Sequence, residues 1–292
     1  MEKLIRDYCR FTNLSVETEN EFIKAYNLIF NSVEISNKVN NLLQDYANDI
    51  TKCLEVVKQI KKETAPLGVH EYTVNALSYI LMIPTLKKEY EKRNLPDWIF
   101  NSSIKDMSYH IPYSIKMKGI HGTFTDWHEN IFTLNCFGLG RLQIIFRPSY
   151  ADFSGDGISI KKGEPMLDVH IPNTGTPLTY EECEYSYKVA VEMFKDKFNG
   201  KPIIFHCSTW LLWERHKELL KPNSNIVKFL ERYTLVEKGL FKDHEPLYRI
   251  FETDCTGDIK NLPTNTSLQK TYYNLINSGE MAGWGTGLFI YE

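Results

Sequence analysis

The sequence predicts an α+β protein in which a helical amino-terminal domain precedes a mixed, mostly antiparallel sheet flanked by helices. Apolar residues recur at three- and four-residue spacing through roughly the first 110 residues, as in amphipathic helices. From about residue 131 onward, short apolar runs alternate with turns that contain glycine and proline, as in strands. Because the periodicity changes between these regions, we predict one domain over residues 1–125 and a second over 126–292.

The composition is that of a globular protein with enough chain to bury a substantial core, since 42% of its 292 residues are apolar and 24% are charged. A net charge of −3 provides no general attraction to nucleic acid or anionic membranes, so we predict neither partner. No apolar run approaches the roughly 18–20 residues of a membrane span, and the amino terminus resembles no signal peptide. The six cysteines are scattered without a CxxC pair. This pattern favours a cytoplasmic protein with reduced thiols and no metal site.

The helical domain is predicted to contain helices around residues 22–30, 36–62, 70–84 and 97–109. The last two are expected to end at or before Pro84 and Pro112, because proline lacks a backbone donor and clashes with the preceding turn.

The second domain is predicted to alternate strands with helices. Strands are expected within residues 131–147 on either side of a Gly-Leu-Gly turn, over 157–160, 166–171, 203–208, near Leu235, over 248–251 and from 283 to the end, and helices over 180–198, 211–220, 225–232 and 267–277. Antiparallel strands that lead into a strand–helix–strand unit are the element order of the GNAT acyltransferases.

Four stretches make this likeness more specific: GLGRLQIIFRPSY, DVHIPNTGTPLTYEECEYSYKVA, FHCSTWLLWE with PNSNIVKFLERY, and NLPTNTSLQKTYY. They resemble a bacterial family of two-domain acyltransferases with a helical amino-terminal domain and a GNAT-like carboxyl-terminal domain. The resemblance spans nearly the whole chain and is densest over residues 138–275. It implies that the fourth and fifth strands run parallel and splay apart, and that an acyl-CoA thioester lies in the opening at their carboxyl ends.

The chain departs from the GNAT pattern after the fourth strand, where PNTGTP replaces the usual R/Q-x-x-G-x-G/A loop. We predict that Thr174, Gly175 and Thr176 in this loop bind the pantetheine or pyrophosphate of CoA through hydroxyls and backbone amides. The alternative is an ordinary strand-to-helix corner.

The start of the following helix carries two opposing signals. Thr179 and Glu182 have the spacing of a capping box, and the free amides of a helix start attract anions. In contrast, Glu181, Glu182 and Glu184 already complement the helix dipole and repel phosphate.

The fourth strand supplies the candidate base. Alternation places Asp168 and His170 on one face of the strand. A histidine titrates near neutral pH, so we predict that His170 accepts the proton of an attacking amine and that Asp168 orients its ring. The alternative is a structural histidine at a strand end.

Cys207 in the fifth strand is a candidate nucleophile. It is expected to lie opposite His170 if the two strands are neighbours, and a Cys–His pair is the minimal arrangement for a reactive thiolate. A covalent acyl-enzyme is then an alternative to direct attack by the amine. A small buried core thiol is the competing interpretation.

Three further residues complete the predicted site. Ser208 is expected to donate a hydrogen bond to the thioester sulfur or carbonyl. Asn225 resembles the asparagine that many GNAT proteins direct at pantetheine, although helix capping explains it equally well. Tyr233 is a candidate acid for the leaving thiolate, or else packs where the next strand begins.

The leading hypothesis is an N-acyltransferase that uses acetyl-CoA or another acyl-CoA and acylates an amine of a small molecule bound between the two domains. The alternative is a GNAT-derived protein that binds acyl-CoA or a small ligand as a sensor without turnover. The PNTGTP loop favours this alternative.

Overall fold

The computed structural model describes residues 1–253, 255, 257 and 261–291. The chain forms two compact units, Met1–Gly138 and Leu139–Glu292. This division lies after the predicted boundary at residue 125, because a short helix and a short strand within residues 126–138 pack on helices of the first unit.

The first unit is helical. Its elements are α1 (Glu2–Phe11), α2 (Val16–Phe30), α3 (Val33–Asn48), α4 (Cys53–Thr64), α5 (Glu71–Lys92), α6 (Asp97–Ile104), α7 (Asp106–Lys118), α8 (Glu129–Phe132) and the strand β1 (Cys136–Gly138). α5 is buried along most of its length and is surrounded by α1, α2, α3 and α4.

Three helix predictions are corrected here. The helix predicted over 36–62 is two helices, because the Asp49 carboxylate accepts the Thr51 amide and starts a new turn. Both Pro84 and Pro112 lie inside helices that continue past them. Residues before Pro84 are buried on nearly every side of α5, and this packing outweighs the proline penalty of about 3 kcal/mol.

A buried polar network holds the end of the first unit together. His128 Nδ1 lies 2.9 Å from Asp106 Oδ2, and His128 Nε2 lies 3.0 Å from Thr123 Oγ1. All three side chains are fully buried. Because a buried polar group is costly when left unpaired, this network ties the segment before α8 to α7.

The second unit contains a mixed sheet with helices between its strands. Its elements are β2 (Gln143–Pro148), β3 (Phe153–Gly155), β4 (Ile158–Ile160), β5 (Pro165–His170), α9 (Tyr180–Phe194), β6 (Ile203–Thr209), α10 (His216–Leu219), α11 (Asn225–Glu231), β7 (Thr234–Leu240), α12 (Tyr248–Phe251), α13 (Ser267–Asn277) and β8 (Gly283–Tyr291). The main strands of this unit lie in the order β2-β5-β6-β8-β7.

β5 and β6 form the parallel pair of this sheet, as predicted for the fourth and fifth GNAT strands. Their register joins Leu167 to Phe205 and Asp168 to His206 and stops there. Each strand continues beyond that point along its other neighbour, β2 or β8. The two strands therefore diverge toward their carboxyl ends.

The two faces of the sheet are covered differently. On one face, Tyr187 of α9 packs against Phe205 and Phe289, with ring centroids 4.9 Å away in each case. On the other face, the β3–β4 hairpin packs against Met166 and Leu288. Because side chains alternate along each strand, odd-numbered residues of β5 and β6 face α9 and even-numbered residues face the hairpin side.

The segment 248–251, predicted as a strand, is the helix α12. A 3₁₀ turn over Glu245–Leu247 precedes it, and Leu247, Ile250 and Phe251 are buried in one apolar cluster. Their three- and four-residue spacing fits a helix packed against α13 rather than an edge strand. No helix in the described part of the chain has the length and apolar character to cross a membrane.

Candidate active site

A cavity of about 570 Å³ lies at the carboxyl ends of β5 and β6. His170 at the end of β5 and Ser208 near the end of β6 both line it. The rest of the wall combines apolar residues with three polar ones: Val169, Ile171, Trp210, Leu211, Phe241, Pro246 and Trp284, together with Thr209, Glu245 and Arg249. Ligands of open α/β sheets bind at such strand ends, so this cavity is the candidate active site.

Ser208 is oriented by its neighbour in β8. The hydroxyl of Thr286 donates to Ser208 Oγ at 2.9 Å, and the Ser208 residue is exposed. With its oxygen accepting from Thr286, the Ser208 hydroxyl keeps its own proton for donation. This geometry suits the predicted donor role.

Asp168 is bound to a different histidine from the one predicted. His206 Nδ1 donates to Asp168 Oδ1 at 2.6 Å, and Arg147 Nη2 lies 2.6 Å from Asp168 Oδ2. Both carboxylate oxygens are therefore committed, and the predicted pairing of Asp168 with His170 is corrected. His206 lies directly across in the parallel register, whereas residues two apart on one strand are separated by about 6.6 Å.

The predicted pair of Cys207 and His170 is also corrected. The register aligns Asp168 with His206, so Cys207 lies on the α9 face and His170 on the hairpin face. Cys207 is fully buried, and burial, followed by the charge of Asp168, raises the pKa of its thiol well above 9.0. Its Sγ donates to the Val169 carbonyl at 3.4 Å. A neutral, enclosed thiol is a poor nucleophile.

The PNTGTP loop is held in place by Arg141, which precedes β2 and was assigned no role from the sequence. The Arg141 guanidinium donates to the carbonyls of Pro172, Thr176 and Pro177, at 2.9, 3.4 and 3.3 Å. Within the loop, Thr174 Oγ1 and Thr176 Oγ1 lie 2.7 Å apart. The loop thus has a fixed shape and a cation beside it.

Gly175 adopts a left-handed conformation at the tip of this loop, with φ of +73°. Residues with a side chain rarely adopt such a φ, which explains the glycine. Gly175 and Thr176 are exposed, whereas Thr174 is half-buried. The Thr174 amide donates to the Pro172 carbonyl at 3.0 Å and the Thr176 amide to Thr174 Oγ1 at 3.3 Å, so Gly175 presents the exposed backbone at the tip of the loop.

Two of the three glutamates at the start of α9 have partners that reduce their repulsion of an anion. Glu182 accepts the Thr179 hydroxyl at 2.9 Å, while Thr179 caps the helix by accepting the Glu182 amide. Glu184 forms an ion pair with Arg232 at 2.7 Å. Glu181 is exposed and remains the principal negative charge beside the loop.

Asn225 and Tyr233 lie away from the main cavity. Asn225 follows Ser224, which is the residue that caps α11 by accepting the Val227 amide. Asn225 lines a separate small recess with Thr179 and Arg232. Tyr233 is buried and pairs with the Tyr187 hydroxyl at 2.9 Å, and burial raises its pKa well above 10.0. This packing agrees with the alternative interpretation of Tyr233.

A buried histidine supports one wall of the cavity. His216 Nδ1 lies 3.2 Å from the Leu211 carbonyl, and His216 Nε2 lies 2.6 Å from the Tyr272 hydroxyl. Burial lowers the pKa of His216 from 6.5 to about 4. The imidazole is therefore neutral at pH 7 and holds the turn that contains Trp210 and Leu211.

The glycines of β8 let this same turn approach the sheet. A Cβ at Gly285 would overlap the Leu212 carbonyl, and one at Gly283 would overlap the Trp213 indole. The glycine-rich sequence therefore serves close packing behind the cavity wall.

Sequence reasoning missed His206, Arg147 and Arg141. Each lies on a strand or turn next to β5, and only the strand order brings it to the site. The antiparallel register pairs Gln143 with His170, so a residue just before β2 lies beside the loop after β5. A prediction of this register would have identified Arg141.

Comparisons with known proteins agree with this architecture. A family model described as the GNAT-like C-terminal domain matches residues 136–289. The chain belongs to this family. The resemblance to GNAT-like proteins predicted from the sequence is therefore confirmed. Among curated proteins, no match was found.

The GNAT-like domain and the helices before it are also similar in fold to solved acyltransferases. One, in complex with decanoyl-CoA and teicoplanin, is 18% identical, with 98% of this chain and 87% of that chain covered and a TM-score of 0.76. A mutant acyltransferase in complex with octanoyl-CoA is 17% identical over 98% of this chain and 87% of that chain, with a TM-score of 0.75. An acyltransferase in complex with CoA and 10C-teicoplanin is 17% identical over 98% of this chain and 87% of that chain, with a TM-score of 0.76. This likeness confirms the predicted fold class.

The described residues of this GNAT-like protein include no group of three His, Cys, Asp or Glu side chains that could hold a metal ion.

Proposed function

We propose that the protein transfers an acyl group from acyl-CoA to an amine of a small molecule. The observation that carries this proposal is the divergence of β5 and β6 after Asp168 and His206, which opens beside a cavity lined by His170 and Ser208. The thioester would lie between the diverging strands, with its carbonyl at the cavity. The solved acyltransferase complex that contains both decanoyl-CoA and teicoplanin supports a small-molecule acceptor.

The proposed reaction is direct attack by the amine. The amine lone pair forms a bond to the thioester carbonyl carbon, and His170 accepts the amine proton. Collapse of the tetrahedral intermediate breaks the carbon–sulfur bond, and the CoA thiolate leaves and is then protonated. Ser208 would donate a hydrogen bond to the developing negative charge. The burial of Cys207 argues against a covalent acyl-cysteine intermediate.

The acyl group is proposed to be longer than acetyl. The cavity volume of about 570 Å³ and the aromatic and aliphatic part of its wall favour an apolar chain, because burying each methylene contributes about 0.8 kcal/mol. The decanoyl-CoA and octanoyl-CoA complexes of acyltransferases with this fold are consistent with that choice.

The CoA pyrophosphate is proposed to bind at the PNTGTP loop. The exposed backbone of Gly175 and the hydroxyls of Thr174 and Thr176 lie beside Arg141, and the start of α9 adds free backbone amides. This site is consistent with the observed partners of Glu182 and Glu184, which leave Glu181 as the main opposing charge.

Release of free thiol from a series of acyl-CoAs, incubated with a mixture of amines, tests the proposed function. We expect turnover that increases from acetyl to octanoyl or decanoyl. We expect His170→Gln to lower kcat by about 100-fold or more, since general base catalysis contributes that much. His70→Gln, an exposed histidine of the helical unit, is the matched control and should retain the full rate.

A sensor without turnover is the second candidate, favoured by the exposed Glu181 beside a loop that lacks the usual GNAT glycines. Saturable CoA binding by calorimetry with no thiol release, across all chain lengths and amines, would establish the sensor and refute the transferase.

A further inference from the structure

Side chains join β5 and β6 on both faces of the sheet at the point where their backbone pairing stops. On the hairpin face, His206 donates to Asp168 at 2.6 Å. On the α9 face, Cys207 donates to the Val169 carbonyl at 3.4 Å. We call these two hydrogen bonds the apex clamp.

The backbone beyond the apex clamp is held only from the outer sides. β5 remains paired with β2 through Val169 and His170, and β6 remains paired with β8 through Ser208 and Thr209. The β5–β6 register extends no further than Asp168 and His206. The separation between the ends of β5 and β6 therefore depends on the last hydrogen bonds that connect the two strands.

The hairpin-face bond is rigidly supported. Arg147, on β2, holds the second oxygen of Asp168 at 2.6 Å. The ring of Phe153 packs 5.3 Å from the His206 ring, and Tyr150 lies edge-on to it at 5.7 Å. His206 is only 1% exposed. An imidazole fixed by neighbours on two sides cannot easily change its hydrogen bond.

The clamp residues reach the cavity only through the backbone. Asp168, His206 and Cys207 do not line the cavity, whereas His170 and Ser208, each two residues further along the same strand and face, do. A change in the clamp would therefore move the cavity residues without removing any group from the cavity.

We propose that the apex clamp sets the width of the opening between β5 and β6 and so positions a bound thioester against His170 and Ser208. Asp168, His206 and Cys207 are positioning residues in this proposal, which rests on the proposed function for its catalytic readout. Their arrangement explains why a carboxylate–imidazole pair lies beside the cavity rather than inside it.

Two substitutions of one residue separate positioning from proton transfer. In His206→Asn the side-chain amide keeps a donor near the position of Nδ1, whereas in His206→Gln the donor lies near that of Nε2. We expect His206→Asn to keep kcat within about threefold and His206→Gln to lower it at least tenfold, because small misplacements at a reacting centre have such effects. Equal loss in both variants would overturn the proposal.

A double-mutant cycle tests whether Asp168 and His206 act as one unit. We expect Asp168→Asn, His206→Gln and the double variant to lower kcat/KM for acyl-CoA by similar factors. Asp152→Asn, at an exposed aspartate of the same unit, should combine with His206→Gln by simple multiplication. If the double variant instead lowered kcat/KM by the product of the two single-variant factors, the result would contradict a clamp.

The α9-face bond has its own controls. Cys207→Ser keeps a donor and should retain kcat within about twofold, whereas Cys207→Ala should lower it about threefold to tenfold. Cys183→Ala removes another buried thiol of this unit and should leave kcat unchanged. Equal kcat in all three variants would exclude a role for the Cys207 bond.

A measurement without turnover keeps this inference separate from the proposed function. We expect His206→Gln to increase amide hydrogen exchange at least tenfold at residues 169–171 and 208–210, with the remaining strands unchanged. If no acyl-CoA supports transfer, the proposed function fails, yet this local increase would still support the clamp. Unchanged exchange at these residues would overturn the clamp even if transfer is fast.

Discussion

Among the described residues, each unit contains a carboxylate–imidazole pair closer than 3 Å, and these two pairs differ in their surroundings rather than in their chemistry. Asp106 and His128 lie 2.9 Å apart in the first unit and are both fully buried. Asp168 and His206 lie 2.6 Å apart in the second unit, with the aspartate side chain 16% exposed. The same pair of residues thus secures a closed core in one unit and the edge of an opening in the other.

The second partner of each imidazole reflects this difference. His128 Nε2 lies 3.0 Å from the buried Thr123 hydroxyl. His206 Nε2 lies 3.4 Å from the hydroxyl of Tyr150, which is 48% exposed. In this protein the enclosed Asp106–His128 pair is explained by its own hydrogen bonds, whereas the Asp168–His206 pair lies beside an opening.

The largest expected difference between the pairs is in stability. Asp106→Ala should lower the free energy of unfolding by about 3–5 kcal/mol, because it leaves a buried imidazole without its partner. Asp168→Ala should cost only about 1–2 kcal/mol, because water reaches this site. Urea unfolding followed by circular dichroism measures both. Equal losses would remove the distinction between a core pair and a pair at an opening.

His216 is a buried histidine whose described partners are a hydroxyl and a backbone carbonyl, in contrast to the carboxylate partners of His128 and His206. Burial lowers the pKa of His216 to about 4, so between 6.5 and 4 the unfolded state binds more protons than the native state. The contribution of neutral His216 to the free energy of unfolding is therefore complete above pH 6.5. It decreases as the pH falls, and about 2 kcal/mol of it is lost at pH 5.

The pH dependence of urea unfolding in wild type and His216→Phe isolates this contribution. Every other titrating group contributes to both proteins, so the difference between the two slopes belongs to His216. Parallel slopes between pH 7 and 5 would contradict the assignment.

A smaller contrast concerns the hydroxyl partners of the two pairs. Thr123→Val should cost about 1–2 kcal/mol, because it leaves a buried ring nitrogen unpaired. Tyr150→Phe should change stability by less than about 0.5 kcal/mol, because Tyr150 is half-exposed and its hydrogen bond to His206 is long. Thermal unfolding of both variants checks this order. A larger loss of stability in Tyr150→Phe than in Thr123→Val would show that exposure does not determine how much the hydroxyl partner stabilises each pair.

The smallest expected signal is the reactivity of the buried thiols, of which Cys207 follows His206 of the second pair. All six cysteines are buried, and burial raises the pKa of Cys183 to about 12 and that of Cys207 well above 9.0. A disulfide reagent that releases a coloured thiolate should show almost no reaction with the native protein at pH 8 and full reaction in urea. Rapid native reaction that is lost in Cys207→Ala would restore the nucleophile hypothesis.

The sequence predicted the broad fold because periodicity is a local property. Strand-like alternation identified β5 and β6, and the Thr179 signal placed the start of α9 where the structure has it. The prediction failed where long-range packing decided the outcome, as at Pro84 inside α5 and at residues 248–251.

The candidate site was predicted in part for the same reason. His170 and Ser208 line the cavity. Their place there could be predicted because each lies at the carboxyl end of a strand, where ligands of such sheets bind. The predicted partner of Asp168 was wrong, since His170 is the nearest histidine along the chain but His206 is the histidine that contacts Asp168 across the sheet. Arg141 and Arg147 lie within the GLGRLQIIFRPSY stretch but were assigned no role, and strand pairing brings both to β5 and its loop.

The helical first part, the GNAT-like element order and the residues at the strand ends follow from the sequence alone, because alternation and capping act over a few neighbouring residues. The tertiary structure alone decided which side chains meet across strands. It placed Asp168 with His206 and turned Cys207 to the opposite face from His170, because interstrand register, rather than distance along the chain, sets those contacts.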